Sequence, residues 1–443
     1  MANEIYHRSN WGNAVNDIAW GDVYQKFDAT NEMFIRSDNY ENSNETDKIM
    51  AAINPKPSIL LTPTAYDNGS LHTVKPVLSP FADFDFSRGT TATRVNEQGL
   101  VADVTDTNLP RIDYTGGTGQ ILLEPQSTNL VTDSAGGNYG NNPGSEILTT
   151  APDGTNTAVR PVPDSTSDRY QYTISGGSYA TDSKLTYTWY RKRITTPIDT
   201  SHTGDLKIQI LVNCTQVGST TQIETDVNGF DRFQAVFNIT DGSAATLIRG
   251  YFGQSIGVGN SSIAYWGHQV EPLEFSTSLI PTSGSTSTRN ADVCNNAGSS
   301  DLINSTEGVL YAEIAALSDD GTNRSIALSD GGTSDRVNLL FDTSNNAIRS
   351  IVVSGSSTQF DQEYVVSSTT NYHKIAVKYK ANDFALWIDG VERFTDTSGS
   401  APIGLNELSF NVGSTAFPLY GKAKCVAVYK EALTDAQLTA LTT

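Results

Sequence analysis

Residues 374–380 alternate apolar and polar side chains with the two-residue period of a β-strand. Ile375, Val377 and Tyr379 lie on one face of such a strand, and lysines occupy the other face. The next apolar run, 384–388, is followed by Asp389-Gly390, a dipeptide that favours a two-residue hairpin turn. The C-terminal third of the chain is therefore predicted to be a β-sheet with one buried face.

The last residues carry a helix signal. Thr434 and Gln437 have the spacing of a capping box, and Leu433 and Leu438 have that of a hydrophobic staple. A short C-terminal helix is predicted to dock on the sheet through Leu438 and Leu441.

The middle of the chain has the same strand period. Between residues 146 and 282, short apolar runs are separated by turn signals, and Leu206, Ile208 and Ile210 alternate with polar residues. These runs predict a β-sandwich.

Residues 1–75 differ in composition. They are rich in aromatic side chains, and one helix is predicted to start at Glu45 behind an Asn44 cap and to stop at Pro55 and Pro57. The expected fold is all-β, with two tandem β-sandwich (jelly-roll) domains and a small, mostly irregular N-terminal region that contains a short helix. The predicted boundaries are an N-terminal attachment region (1–75), an ordered connecting segment (76–135), the first sandwich (136–290), a linker (291–306) and the second sandwich (307–443).

The connecting segment has neither helical nor strand periodicity over residues 86–131. Arg88, Arg94 and Arg111 lie among Thr, Asn and Gly residues, and short apolar anchors such as Ile112 and Ile121 follow. We expect ordered backbone here. We also expect the arginines to make hydrogen bonds to carbonyls and carboxylates between domains, rather than to form a ligand site.

Composition and charge disfavour some classes of binding partner. The net charge is −20, which disfavours nucleic acid, and the chain has no apolar window long enough for a membrane span. The three cysteines have no zinc spacing, and Cys425 is expected to be a buried apolar residue. The first residues do not have the pattern of a secretory signal.

Catalytic motifs are missing from the sequence. The five histidines are scattered, and no HExxH, GxSxG or P-loop pattern occurs. His268, in a strand-like run, is expected to be a packed or surface histidine rather than a catalytic one. We expect the chain not to be an enzyme, although sequence alone cannot locate the two facing carboxylates of a glycan hydrolase.

Calcium is the cofactor that the sequence allows. The loop at 329–335 and the turn at 341–346 offer oxygen ligands, and the candidate metal residues are Asp330, Asp335 and Asp342. The alternative is that these residues only form turns.

A glycan site needs exposed aromatic faces beside polar side chains. The tryptophans Trp189, Trp266 and Trp387 lie in strand-like runs and are predicted to be core residues. The candidate ligand-binding residues are the aromatic residues placed in loops: Tyr139, Tyr179, Phe360, Phe417 and Tyr420.

Three stretches resemble known families. The run FSRGTTATRVNEQGLV…NLPRIDY…ILLEPQSTNLV resembles a segment that precedes lectin-like sandwich domains in tailed-bacteriophage virion proteins. The run around Trp266, Gly267, Gln269 and Glu271, followed by Ser278-Leu279-Ile280-Pro281-Thr282, resembles the closing strand of carbohydrate-binding-module-like jelly rolls. The pieces EGVLYAEI, NYHKIAVKY, FALWIDGVE and AVYKEALTDAQLTALT resemble laminin-G-like, or concanavalin A-like, jelly rolls.

The resemblance implies a structural component of a phage particle, such as a tail fibre, head fibre or capsid decoration, that contacts host surface glycans. Residues Trp11, Trp20, Tyr24 and Phe27 would attach it to other virion proteins of the capsid, the portal-proximal region or the tail. It implies a homo-oligomer such as a trimer, and a virion location after assembly in the host cytoplasm. The alternatives are a phage depolymerase that acts on host polysaccharide and a purely architectural virion protein. The missing signal disfavours a cellular adhesin.

Overall fold

The computed structural model describes most of the chain from residue 84 onward and short segments before it. The described residues are 4–6, 24–28, 33–37, 57–61, 63, 66–67, 70–71, 84–135, 145–162, 170–175, 179–193, 207–209, 214–240, 247–252 and 263–443. The fold is all-β, with sandwich-like sheets and one short C-terminal helix, and the prediction of fold class is confirmed.

The six N-terminal strands belong to three different sheets. Their bounds are β1 (Glu4–Tyr6), β2 (Tyr24–Asp28), β3 (Met33–Ser37), β4 (Ile59–Leu61), β5 (Tyr66–Asp67) and β6 (Ser70–Leu71). Strands β1, β2 and β3 form an antiparallel sheet, so this region holds more regular structure than expected. The helix predicted at Glu45 lies outside the described residues, as do Trp11 and Trp20, whereas Tyr24 and Phe27 lie on β2.

The connecting segment is built of short strands. They are β7 (Asp85–Ser87), β8 (Ala92–Val95), β9 (Val101–Val104), β10 (Arg111–Asp113), β11 (Gln120–Leu123) and β12 (Ser127–Asn129). Strands β8 and β9 form a hairpin, and β10 pairs with β11. The segment is therefore ordered, as its apolar anchors indicated.

The first sandwich follows. Its strands are β13 (Ser145–Thr149), β14 (Ala158–Val162), β15 (Tyr170–Ser175), β16 (Lys184–Arg193), β17 (Lys207–Gln209), β18 (Cys214–Val227), β19 (Phe230–Ile239), β20 (Leu247–Phe252) and β21 (Ile263–Glu271). One sheet has the order β13-β14-β21-β16-β19-β18, and the other has the order β15-β20-β17. Trp189 and Trp266 are buried, as predicted, and His268 is buried as well.

Residues 291–306 do not form a free linker. Strands β22 (Ser287–Arg289) and β23 (Val293–Asn295) pair back onto β12 and β7. Ala297 exchanges two backbone hydrogen bonds with Leu408, with N···O distances of 3.0 and 2.6 Å. Leu302 and Ile303 are buried in the core of the second sandwich, so this stretch packs as part of that domain.

The second sandwich is a jelly roll of two sheets closed by a helix. Its elements are β24 (Glu307–Ala316), β25 (Arg324–Ser329), β26 (Arg336–Phe341), β27 (Ala347–Ser354), β28 (Ser357–Val365), β29 (His373–Lys380), β30 (Phe384–Ile388), β31 (Val391–Asp396), β32 (Glu407–Ser409), β33 (Gly421–Tyr429) and α1 (Asp435–Thr442). A five-stranded sheet, β28-β27-β26-β25-β32, faces a larger sheet, β10-β11-β33-β24-β29-β30-β31, across one apolar core.

Local signals at the C-terminus are confirmed. Asp389 and Gly390 have positive φ angles of 51° and 78°, as the predicted hairpin turn requires. Thr434 and Gln437 form the capping box of α1, and Leu438 is fully buried beneath it. Trp387 and Cys425 are buried as well.

The jelly roll extends beyond its predicted start at residue 307. Strand β33 pairs with β11 at one end and with β4 at the other, and Ile59, Ile112 and Ile121 belong to the same core as the strands after 307. These earlier segments cover the edge of β33, which would otherwise offer unpaired backbone groups to other chains. The sequence boundary misses them because they lie far away along the chain.

No helix among the described residues is both long enough and apolar enough to cross a membrane.

We predict that residues 307–443 expressed alone form an incomplete domain. The fragment lacks β4, β10 and β11, so the edge of β33 and part of the core are exposed. Size-exclusion chromatography should show aggregates, and thermal unfolding should begin at a lower temperature than in the full chain. A monomeric fragment that unfolds at the temperature of the full chain would contradict this account.

Candidate functional site

A fully buried arginine lies at the centre of the contact between the connecting segment and both sandwiches. Arg111, on β10, has no exposed surface. Its Nη1 lies 2.6 Å from Glu124 Oε2 and 2.7 Å from Ser278 Oγ, and its Nη2 donates to Asp292 Oδ2. Ser278 follows the last strand of the first sandwich, whereas β10 belongs to the large sheet of the second. Arg111 thus joins the two sandwiches.

Two more arginines complete this group. Arg88 Nη1 lies 3.3 Å from Asp292 Oδ1, and its Nη2 donates to the carbonyls of Val104 and Asp106. Arg289 Nη1 lies 2.8 Å from Glu124 Oε2. We call the five charged residues the junction cluster: Arg88, Arg111, Glu124, Arg289 and Asp292.

The arginines of the connecting segment therefore do what the sequence predicted. Arg88 and Arg111 bond to carbonyls and carboxylates, and Arg94 Nη1 donates to the Ile112 carbonyl. Their partners Glu124 and Asp292, and the third arginine of the cluster, Arg289, were missed in the sequence, which offers no local signal for contacts over such separations.

The surroundings of Glu124 and Arg111 favour the charged form of both groups. Burial alone would raise the pKa of Glu124, but the guanidinium groups of Arg111 and Arg289 and the Ser278 hydroxyl outweigh burial and hold the pKa at about 2. Burial acts to lower the pKa of Arg111, and the Asp292 and Glu124 carboxylates reverse that effect and raise it. The Glu124 carboxyl group is therefore ionised near neutral pH and paired with two arginines, which fits a structural role.

The residues that carry the family resemblance have structural roles. Gln269 Oε1 accepts from the Ile280 amide at 2.6 Å, and Glu271 Oε2 accepts from the Thr277 amide at 2.9 Å. Asn129 accepts from the Val270 amide and donates to the Ile280 carbonyl. These buried side chains hold together the closing strand of the first sandwich and the segment after it.

The predicted ligand residues have different environments. Phe360 is 2% exposed and stacks on Phe384 in the core, so the prediction that it is a sugar platform was wrong. It lies opposite Val352 on the inner face of β28. Tyr179 is half-buried against the core of the first sandwich. Tyr139 lies outside the described residues.

Tyr420 lies close to the junction cluster. Burial and the nearby Asp292 carboxylate raise the pKa of its hydroxyl, and the Arg289 guanidinium partly opposes them. Its side chain is half-buried, so it is not a loop-tip aromatic residue.

Phe417 is the predicted ligand-binding aromatic residue whose side chain is exposed in the described part of the chain. Its side chain is 49% exposed, and its φ angle is 51°, in the left-handed region that a bulky residue adopts at a cost of about 1–2 kcal/mol. Its carbonyl accepts from the Ser325 amide at 3.0 Å, which holds the loop against the edge of β25. A strained, exposed aromatic residue on a fixed loop is a feature of binding sites.

A buried amide that the sequence analysis missed lies near this loop. Asn338, on β26, is 1% exposed and donates to Ser325 Oγ at 2.8 Å. Its Oδ1 has no hydrogen-bond partner in the part of the chain that the structure describes. We call the exposed ring of Phe417, with the loop that carries it, the Phe417 site; Ser325 and Asn338 are buried on the neighbouring strands β25 and β26.

The three candidate calcium residues do not share one place. Asp335 and Asp342 lie at opposite ends of the six-residue strand β26, roughly 20 Å apart at the rise of a strand, so they cannot bind the same ion. Asp335 Oδ1 accepts from the amides of Gly355 and Ile403, and Asp342 Oδ2 pairs with Arg349 at 3.0 Å.

Asp330 is exposed, and its Oδ1 accepts from the Gly332 amide at 3.0 Å. Within the described ranges, no three His, Cys, Asp or Glu side chains form a group that could hold a metal ion. These contacts fit the turn interpretation, and calcium binding by either loop stays a prediction.

The comparisons with known proteins agree with the fold of the second sandwich. Residues 300–439 match the laminin-G family model described as the concanavalin A-like lectin/glucanases superfamily. A search of curated protein sequences found no match.

Several solved structures are similar in part. They include the CBM40 of the Ruminococcus gnavus IT-sialidase (15% identity, 33% of this chain and 92% of that chain, TM-score 0.29). A leech intramolecular trans-sialidase matches at 18% identity over 31% of this chain and 23% of its own, with a TM-score of 0.28. Domain 4 of AbnA, an extracellular arabinanase from Geobacillus stearothermophilus, matches at 14% identity over 39% and 84%, with a TM-score of 0.29.

We predict that the loss of Arg111 strongly destabilises the fold. Replacing Arg111 with methionine leaves Glu124 and Asp292 without a main partner in a buried site, and we expect the free energy of unfolding to fall by about 3–5 kcal/mol. The control is Arg349→Met, which removes ion pairs to Asp342 and Asp361 from a partly exposed arginine and should cost at most about 1 kcal/mol. Urea denaturation measures both, and equal losses would contradict a special role for Arg111.

We predict that the stability of the chain falls in acid because of Glu124. Because the pKa of Glu124 is about 2 in the folded chain and near 4.5 when unfolded, its contribution is complete above pH 4.5 and is lost as the pH falls towards 2. We expect a loss of about 3 kcal/mol from this group over that window. Urea unfolding at several pH values should show a steeper acid loss for the unmodified chain than for Glu124→Gln. Parallel pH profiles would refute the assignment.

Proposed function

We propose that this chain is a structural component of a bacteriophage particle, of the fibre or decoration type, and that its jelly roll contacts glycans on the host surface. The observation that carries the glycan part is the Phe417 site on a domain matched by a concanavalin A-like lectin/glucanase family model. An exposed aromatic face can stack on a sugar ring.

The particle part rests on the phage-like runs and on where their residues lie. Arg88, Arg111 and Glu124 of the first run meet Ser278 of the second at the junction cluster. Residues of the two runs therefore bond to each other and connect the two sandwiches. Such a connection suits a protein that must project a binding face from a surface. In this proposal the N-terminal region attaches to other virion proteins, the chain forms homo-oligomers, and its location is the virion assembled in the host cytoplasm.

We further propose that the glycan is bound without being cleaved. A glycan hydrolase needs one carboxyl group that keeps its proton at working pH. The buried Glu124 carboxyl group at the junction cluster has its pKa held at about 2, so it cannot serve as that acid. The rival depolymerase would release new reducing ends from host polysaccharide, and this proposal expects none.

The test uses the full chain on an array of bacterial surface oligosaccharides, with Phe417→Gly as the variant. Glycine fits the positive φ angle of 51°, so the folded state should keep its stability while the aromatic face is lost. We expect glycans held at the Phe417 site to lose about five- to thirtyfold in affinity, because one stacked ring is worth roughly 1–2 kcal/mol.

The matched control is Ser356→Gly. Ser356 also has a positive φ angle, 65°, and is exposed, but it lies near the other end of β26 and offers no aromatic face. It should bind like the unmodified chain. If the unmodified chain binds no glycan on the array, the glycan proposal falls and the architectural alternative is favoured.

A further inference from the structure

A cleft of about 480 Å³ opens between the connecting segment and the two sandwiches. Each of the three contributes to its walls. The residues that line it include Arg94 from the connecting segment, Gln234 and Glu274 from the first sandwich, and Tyr372 and Lys422 from the second. The volume lies within the range of about 300–1,000 Å³ typical of small-molecule sites.

The floor of the cleft is rigid. Arg232 is 2% exposed, and its Nη1 lies 2.9 Å from Glu224 Oε1. The Tyr190 hydroxyl donates to the other oxygen of Glu224 at 3.0 Å, and Arg232 Nη2 donates to the Thr277 carbonyl at 2.8 Å. Arg232 Nε is buried without a partner among the described residues, which leaves one donor on this floor unsatisfied. A floor fixed in this way is organised before any ligand binds.

Charged groups on the rim of the cleft make few contacts within the fold. In the part of the chain that the structure describes, no hydrogen bond and no ion pair within 4.0 Å is found for the Lys422 ammonium or the Glu274 carboxylate, although the Lys184 and Arg324 charges act on Glu274. Gln234 accepts from the Ser276 amide through Oε1, and its NH₂ group has no described acceptor. Donors and acceptors thus face one space from both sandwiches.

An aromatic ring lies on the wall contributed by the second sandwich. Tyr372 is half-buried, donates its hydroxyl to Gln120 Oε1 and has the Lys424 ammonium 4.3 Å from its ring centroid. These two contacts fix the ring orientation, as a stacking surface for a ligand requires.

The charge of the lining restricts the ligand. The described lining has five carboxylates and three cations: Asp113, Glu124, Glu224, Glu274 and Asp319 against Arg94, Arg232 and Lys422. With a chain net charge of −20, this surface repels phosphate-rich and acidic ligands. A neutral molecule with many hydroxyl groups can use acceptors, donors and a ring face together.

We propose that this cleft binds a short neutral oligosaccharide, as a second sugar site separate from the Phe417 site. The inference rests on the proposed glycan function. Binding across the cleft would also fix the two sandwiches relative to each other, because both contribute groups to the ligand.

The experiment uses the full chain and isothermal titration with neutral di- to tetrasaccharides built of glucose, galactose, mannose or N-acetylglucosamine, with sialyllactose as the acidic comparator. The cleft variant is Glu274→Gln with Lys422→Met. The control variant is Glu392→Gln with Lys430→Met, which makes the same charge changes on the surface away from the cleft. Phe417→Gly is titrated in parallel.

We expect a neutral oligosaccharide to keep its affinity for Phe417→Gly and for the control, and to lose about tenfold or more for the cleft variant, because hydrogen bonds to two charged groups are lost. Affinity for the cleft variant within about twofold of the unmodified chain overturns the cleft proposal. If Phe417→Gly alone abolishes that binding, the glycan function stands and the cleft is not its site. No binding of any sugar by the unmodified chain overturns both proposals, and a preference for sialyllactose overturns the neutral class.

Discussion

The buried ion pairs of Arg111 are the constraint on which the rest of the structure depends. Three guanidinium groups and two carboxylates are taken out of water at one point, where segments separated by up to 204 residues in sequence meet. Desolvating such charges costs several kcal/mol per ion unless geometry and hydrogen bonds compensate, and here every carboxylate oxygen is paired. The cluster therefore favours one arrangement of the two sandwiches, because another arrangement would leave buried charges without partners.

This constraint positions the binding surfaces. The large sheet of the jelly roll is completed by β10 and β11, which carry Arg111 into the cluster, and β33 of that sheet begins one residue after Tyr420. The Phe417 loop ends at the same strand and is held against β25 by the Ser325 amide. The floor of the interdomain cleft, Glu224 and Arg232, shares Thr277 and its neighbours with the cluster. The elements that carry both candidate sugar sites are thus connected to the junction cluster.

Local signals in the sequence predicted what local interactions determine. The Asp389-Gly390 turn and the Thr434 cap each depend on neighbours within a few residues, and the structure has both. The alternation at Ile375 predicted the strand, but the expectation of a single buried face was wrong: both faces of β29 are buried, and Lys378 is only 7% exposed. The arginines of the connecting segment could be recognised as interdomain donors. Their partners could not, because Asp292 lies 181 residues from Arg111 and no local pattern encodes that pairing. Phe360 was misplaced because its strand is mostly exposed, and only the register with Val352 puts the ring inside.

Calorimetry of the full chain tests the central claim most directly. If the junction cluster makes the two sandwiches one unit, heating at neutral pH should give a single transition in which the calorimetric and van't Hoff enthalpies agree. The Arg111→Met variant should split it into two transitions. Two independent transitions in the unmodified chain, each unaffected by the loss of Arg111, would contradict the account.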